Sequence, residues 1–385
     1  MAPIGAALLG TGIFAKDVYK NNFKAKAGDV ELKAVWSRTL DSAQAYVQEY
    51  FPNASALAGD EGLERILGDD SIHMVVVVLP VQASLQIVER CLAARKSVVQ
   101  EKPVAATVED AVAAIGRYRS TVAAAPSPAA APVWLFAENY RYEAAFVAAC
   151  QRVSELGKIV KIDLIADLPM DERNRYYGSV WRRDNACCPG GFFTDSSVHF
   201  IAALRAVAGA AGLGQAVRVT AHSLQAKPDL SNPDSVVGVA LFEGGVPASI
   251  SISLAAHQVR WSLSVVGTGG SLEVSRGGWG GSRVGYTLCI KTLPPPQQPP
   301  LQPGQPDPTL QQVPYAFSGC QDEFAEFVGL TAELRAAGPG VGAGAAVPGP
   351  NARSSPEEGA RDLAFIEALL SSAAKGGEPV AVVQV

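Results

Sequence analysis

The chain has 385 residues, 48% of them hydrophobic and 18% charged, with a net charge of −5 and a pI near 5.5. That balance excludes the broad basic footprint of a nucleic-acid-binding surface, and no apolar run reaches the roughly 18 residues that a membrane span needs. The length exceeds the roughly 250–300 residues at which a single core stops growing, so two domains are expected. The first strand is expected within a few residues of Met1, so neither a cleaved signal nor a transit peptide is expected and the cytoplasm is the expected location.

Ile4 to Leu9 reads as a short apolar strand and runs directly into Gly10-Thr11-Gly12-Ile13-Phe14-Ala15. A G-x-G-x-x-A turn between a strand and a helix allows close approach of backbone to a pyrophosphate, and the free N–H groups of the helix start favour the anion. The same turn without a ligand is simply a tight small-residue corner. A second strand, Val30 to Trp36, exits at Ser37-Arg38-Thr39. An NAD site usually carries Asp or Glu at such an exit for the ribose 2′-hydroxyl, whereas arginine accommodates a 2′-phosphate. A hydroxyl and a guanidinium with no carboxylate therefore predict NADP(H), with NAD(H) second. Asp41 falls in the first turn of the next helix, where a helix-dipole role suffices.

Leu63 to Leu67 reads as helix, Met74 to Leu79 as a buried strand, Leu85 to Ala94 as helix and Ser97 to Gln100 as strand again. This alternation predicts a parallel sheet wrapped by helices. The fourth of these runs ends in Glu101-Lys102-Pro103. Proline biases Lys102 away from helix and toward an extended strand exit, and ligands of open α/β sheets bind beyond such exits. Alone, the tripeptide equally suits a surface lysine. Asp110 to Arg119 is a further helix, and an Ala/Pro-rich loop over 123–132 leads to a strand at Val133 to Ala137, near an expected domain boundary between 133 and 134.

The rest of the chain has a different grammar. Val160–Asp167, Ala216–Leu224, Ser235–Phe242, Ala248–Leu254, Trp261–Val266 and Gly270–Val274 alternate like strands with no helices between most of them. The prediction is an α+β domain over 134–385 built on a large, mainly antiparallel open sheet. Between the first two of these strands lies Gly190-Gly191-Phe192-Phe193-Thr194-Asp195-Ser196-Ser197-Val198-His199, a glycine turn entering a helix. A helix starting near Thr194 and ended by Gly209 puts Asp195 and His199 on one side, four residues apart. A carboxylate beside an imidazole suits proton transfer near neutral pH; helix capping by Asp195 and a satisfied core histidine are the plain alternative.

Cys91, Cys150, Cys187, Cys188, Cys289 and Cys320 show no C-x-x-C spacing, so neither a metal site nor a disulfide framework is expected. Reactive thiols at Cys187-Cys188 are less expected than ordinary free cysteines. Stretches rich in proline and glycine near 294–308 and 336–352 read as flexible insertions. Glu357 to Ala374 closes the chain with an amphipathic helix carrying Leu363, Ile366, Leu369 and Leu370.

In combination, Gly10-Thr11-Gly12-Ile13-Phe14-Ala15, Glu101-Lys102-Pro103, Trp181-Arg182 and Gly190-Gly191-x-x-x-Asp195-x-x-x-His199 resemble, in order, the motifs of the Gfo/Idh/MocA family of NAD(P)-dependent oxidoreductases. The run from Thr11 to Asp17 and Glu138-Asn139-Tyr140 resemble a eukaryotic, fungal-type NADP-dependent branch. The resemblance implies an N-terminal Rossmann domain and a C-terminal mixed sheet. Gly10, Thr11, Gly12, Ile13 and Phe14 would form the pyrophosphate turn, and Ser37 and Arg38 would face the adenosine ribose and its phosphate. Leu79, Pro80, Glu101 and Lys102 would line the ribose and nicotinamide side. Lys102 and His199 would be the acid/base pair, with Asp195 contacting substrate or orienting the histidine. Trp181, Arg182 and Tyr140 would border substrate and nicotinamide. Many members carry a histidine four residues after the equivalent of Pro80; here that residue is Ser84.

The implied reaction is hydride transfer between NADP(H) and a small carbonyl or alcohol compound such as a sugar or polyol. The alternative is a protein that binds NADP(H) as a sensor without turnover. The family's open sheet commonly serves self-association, so a homodimer through the C-terminal sheet is expected, with a small molecule as the other partner and neither nucleic acid nor membrane.

Overall fold

Ile4, Ala6 and Leu8 of strand β1 (Ile4–Leu9) pack into one apolar cluster and Ala7 and Leu9 into another. A strand apolar on both faces belongs in the middle of a sheet covered on both sides. In the computed structural model, which describes residues 2–127, 130–231, 233–276, 285–293, 305–337 and 352–385, β1 is central. It is joined by β2 (Val30–Ser37), β3 (Ser55–Ala58), β4 (Met74–Val77), β5 (Ser97–Glu101) and β6 (Trp134–Ala137). The order is β3-β2-β1-β4-β5-β6 and every pairing is parallel. This is the doubly wound order, and its reversal point lies between β1 and β4, where such sheets bind dinucleotides.

A π-helical turn, Ala15–Tyr19, runs into α1 (Lys20–Ala25), followed by α2 (Leu40–Tyr50), α3 (Gly59–Leu67), α4 (Val81–Ala93) and α5 (Val108–Ala123). Pro80 stands at the N-cap of α4, so β4 stops at Val77, before the expected Leu79. Thr107 caps α5 by accepting from the Asp110 N–H, which carries that helix beyond its expected ends. Short β3 was not anticipated; four residues give little alternation to detect.

The second sheet is larger. Strands β7 (Ile159–Asp167), β8 (Ala216–Leu224), β9 (Ser235–Phe242), β10 (Pro247–Ser253), β11 (Arg260–Gly267), β12 (Gly270–Arg276), β13 (Tyr286–Thr292), β14 (Leu310–Tyr315) and β15 (Val380–Ala381) form one nine-stranded sheet. Among the described residues of this sheet only β7 and β10 pair in parallel; the other contacts are antiparallel. Helices α6 (Ala144–Arg152), α7 (Gly191–Ala210) and α9 (Pro356–Ala374) pack on one face of it, and Val237 and Val239 lie exposed on the other. Segments 294–304 and 338–351 of the two proline- and glycine-rich stretches lie outside the described residues.

Two expectations about domain layout change. A boundary between 133 and 134 would cut off β6, which pairs with β5 from Val98↔Trp134 to Glu101↔Ala137 and so belongs to the first sheet. The C-terminal part of the chain also returns to that sheet through α8 (Gly319–Ala337). Phe324, Phe327, Val328 and Leu334 are buried among Ile4, Leu8, Tyr19 and Phe23, and the Phe324 ring meets Phe23 edge-on at 5.1 Å. Removing this anchor has a measurable cost: Phe324→Ala is expected to destabilise the protein by about 3–5 kcal/mol in urea denaturation, the usual range for truncating a buried phenylalanine.

Candidate active site

Gly10 leaves β1 at φ +115°, and an added Cβ would sit 2.1 Å from the Val78 carbonyl oxygen of the neighbouring chain exit. Only glycine fits there. At Gly12 an added Cβ meets nothing within 4 Å, so the turn opens onto a cradle at the head of the helix beginning with Ile13. The first N–H groups of a helix have no intrahelical partner and point at such a space. Ile13 is exposed and Phe14 half-buried beside it. Thr11 Oγ1 donates to Ser37 Oγ at 3.3 Å, tying the glycine turn to the β2 exit, and Arg38 extends from that exit into solvent. Leu79 and Pro80 form the opposite lip at the β4 exit. These residues fit the diphosphate and adenosine half of a dinucleotide.

Ser84 does not take part. Its side chain is buried and accepts from Gln100 Nε2 at 3.1 Å, while the same amide donates to the Val104 carbonyl and accepts from Trp134 Nε1. The position supports the strand end that presents Lys102.

Lys102 lies just past β5, and its peptide bond to Pro103 is cis. Its Nζ donates to the Asp195 main-chain oxygen at 2.7 Å and stands 3.2 Å from Asp195 Oδ1. Arg182 Nε donates to the other carboxylate oxygen, Oδ2, at 2.8 Å, and its guanidinium stacks over Trp181 at 4.2 Å and Tyr176 at 5.2 Å. Burial works to raise the Asp195 carboxyl, but Lys102 and Arg182 outweigh it and hold the value at about 2. The loop carrying Arg182 also reaches the first domain, where Arg175 forms an ion pair with Asp17 beside the glycine turn.

Helix α7 begins at Gly191, three residues before the expected Thr194, and runs one residue past Gly209. Gly191 has φ +48°, and a Cβ there would fall 2.3 Å from both Ser231 Oγ and the Arg182 carbonyl oxygen, so the start is set by close packing. Asp195 and His199 do share one side of α7, yet Asp195 does not orient the histidine. Its oxygens are taken by Lys102 and Arg182, and the partner of His199 is Glu138, whose Oε1 lies 2.7 Å from Nδ1. Glu138 is fully buried just beyond β6; burial raises its carboxyl, but His199 and then Arg141 bring it below the usual value. A carboxylate on Nδ1 fixes the ring and leaves Nε2 for proton exchange.

Tyr140, expected at the substrate border, is instead buried behind the histidine. Its ring stacks on His199 at 5.1 Å and on Phe146 at 5.3 Å, so it serves as a platform for the imidazole. Glu101 accepts from the Tyr19 hydroxyl at 2.7 Å, and burial pushes its carboxyl up to about 7. Cys188 is also next to the site, but burial and Asp195 raise its thiol to about 12, which makes it a poor nucleophile. Glu138 was the functional residue missed; its only local signal is an acid directly after an apolar strand.

A dinucleotide cradle at the switch point of a parallel sheet, facing a lysine, a histidine and an ion-paired aspartate from two domains, defines a nicotinamide-dependent oxidoreductase of the Rossmann class. Residues 4–123 match the family model described as "Oxidoreductase family, NAD-binding Rossmann fold", and residues 147–273 match the "GFO/IDH/MocA C-terminal domain". The chain belongs to the Gfo/Idh/MocA oxidoreductase family. It is similar to a protein named Dehydrogenase FPY6 from Fusarium mangiferae, 27% identical with 97% of each chain covered. Among solved structures it resembles an oxidoreductase from Thermotoga maritima, with TM-score 0.75 and 26% identity over 99% of this chain and 98% of that one. In fold alone it resembles an aldose-aldose oxidoreductase from Caulobacter crescentus, with TM-score 0.73 and 21% identity over 98% and 99% of the two chains.

Asp195→Asn leaves Lys102 and Arg182 facing each other without their anion and is expected to cost about 3–5 kcal/mol in urea denaturation near neutral pH. The sign of its pH dependence follows from the lowered carboxyl. The stabilisation is complete above the unfolded-state value and is lost as pH falls through the folded one. The gap between wild type and variant should therefore close between about pH 4 and about pH 2.

Proposed function

We propose that the protein transfers hydride between NADP(H) and a small carbonyl or alcohol compound of the sugar or polyol class, with Lys102 and His199 exchanging the accompanying proton. The observation that carries this is the joining of Lys102, from the exit of β5, to Asp195, one helical turn before His199 on α7. One interaction ties the strand exit that carries Lys102 to the helix that carries His199. A non-catalytic sensor would need only the nucleotide half and would leave these charges from two domains without a purpose.

The nicotinamide ring, when bound, supplies or accepts the hydride; everything else falls to side chains. Asp195 holds the Lys102 ammonium at the strand exit, and Arg182 prevents that carboxylate from turning away. In the reductive direction Lys102 or His199 gives a proton to the substrate oxygen as it gains charge, and in the oxidative direction the same group takes it back. Glu138 holds Nδ1 in place, and Tyr140 keeps the ring from tipping. Support for NADP(H) comes from the β2 exit, where Ser37 and exposed Arg38 replace the usual carboxylate.

Arg38→Ala is expected to weaken NADPH binding at least tenfold in fluorescence titration while leaving NADH nearly unchanged; tighter binding of NADH by the wild type would reverse the cofactor assignment. Lys102→Met and His199→Ala should each reduce turnover by about 10²–10⁴-fold, the range for loss of a positioned proton donor. The assay is nicotinamide absorbance across a panel of aldoses, polyols and their oxidised forms. A homodimer also belongs to the proposal: Val237 and Val239 leave apolar surface on the outer face of the second sheet, and sedimentation equilibrium should give twice the chain mass.

A further inference from the structure

A second carboxylate, away from the cleft, also binds two cations. Asp362 lies on α9 with its side chain fully buried. Arg141 Nη2 donates to both of its oxygens, at 2.7 Å to Oδ1 and 2.6 Å to Oδ2, and Arg205 Nη1 donates to Oδ1 at 2.5 Å. Glu358, one turn earlier on the same helix, meets Arg205 at 3.0 Å, Arg141 at 3.5 Å and Arg361 at 2.5 Å. Burial raises the Asp362 carboxyl, and the two guanidinium groups on it work against that rise.

The two arginines belong to the two halves of the histidine site. Arg141 ends the short helical turn Asn139–Arg141, which Glu138 caps by accepting from the Tyr140 N–H at 3.1 Å. Arg205 lies on α7, the helix of His199. Glu138 Oε1 meets His199 Nδ1 at 2.7 Å, so the turn and the helix are already joined once. The bridge from Arg141 through Asp362 to Arg205 joins the same turn to the same helix a second time. Its guanidinium side chains are only 3% and 5% exposed, and charge-assisted bonds of this kind hold a defined geometry. The outcome matters for the ring. An ionised carboxylate can only accept, so the nitrogen facing Glu138 carries the proton and Nε2 is left bare.

Resting on the oxidoreductase reading above, we propose that Asp362 is a positioning residue for His199. By holding Arg141 and Arg205 together it keeps Glu138 seated on Nδ1, which fixes the ring tautomer and leaves Nε2 to exchange the proton. Being fully buried, Asp362 touches no substrate itself. Without its carboxylate the turn is free to shift along α7, and the ring proton divides between the two nitrogens.

Heteronuclear NMR of the imidazole nitrogens, on the full-length protein without nucleotide, reads the tautomer. The chain has four histidines, and His199→Ala assigns the signal. In the neutral form of the ring, at the alkaline end of a pH series, the wild type should show a protonated Nδ1 and a bare Nε2. In Asp362→Asn the two nitrogen shifts should move toward each other as the tautomers mix. Asp362→Asn combined with Arg205→Met removes one charge of each sign and leaves Arg141 with Glu358, so it strands no buried charge and should give the same mixed ring where the single variant does not fold. Leu369→Ala loosens the same helix at another buried position and should keep the wild-type tautomer, which separates positioning from a general loss of stability. With a substrate from the panel above, turnover of the folded variant should fall by about 10–10²-fold, the scale set by a misplacement of about 1 Å, with KM for NADPH unchanged. A protonated Nε2 in the wild type, a wild-type tautomer in the double variant, or an equal change in Leu369→Ala would overturn the proposal. No turnover by the wild type across the whole panel would instead overturn the oxidoreductase reading, since the ring signals are recorded without nucleotide or substrate.

Discussion

The arrangement of the cleft depends on one carboxylate held by two cations. Asp195 is anchored by Lys102 from the first sheet and by Arg182 from the loop that precedes α7. Buried ion pairs contribute little to stability when compared with apolar replacements, but losing one member leaves an uncompensated charge in the interior. The constraint therefore acts as specificity of placement. It sets the distance between the exit of β5 and the helix that carries Asp195 and His199. The cation-π stacking of Arg182 on Trp181 and Tyr176 extends that constraint into the loop.

The histidine is governed by a different set of contacts. Glu138 fixes Nδ1, Tyr140 supports the ring face, and both lie on the short segment where the chain leaves the first sheet for the second. The segment thus carries more of the site than its length suggests. Its position also explains why moving the domain boundary beyond β6 matters: the strand that delivers Glu138 is stabilised by pairing with the strand that delivers Lys102.

Much of this was legible in the chain. Gly10 and Gly12 follow an apolar run and precede a helix, so the tight turn they form is readable from local sequence. Lys102 is marked by the proline behind it, and Asp195 and His199 by their spacing. What escaped was the pairing between them. Four-residue spacing shows that Asp195 and His199 share a face, but not that Lys102 and Arg182 claim the carboxylate first. Glu138 lies 61 residues from His199, and no periodicity links them. Helix α8 was missed although Phe324, Phe327, Val328 and Leu334 recur at helical spacing. It follows a proline-rich stretch, and its buried face meets a sheet completed almost 200 residues earlier, where no local pattern points.

That last contact has a consequence for biosynthesis. When the six strands of the first sheet have left the ribosome, the face that Phe324 and Phe327 cover is still bare, because α8 has yet to be made. Domains generally fold as units from the N-terminus, and apolar surface left open during that interval invites association with other chains. The nucleotide-binding half of this protein is therefore not a self-sufficient module that could be cut out or exchanged between relatives at the linker. It matures only when the chain has built the second sheet and come back.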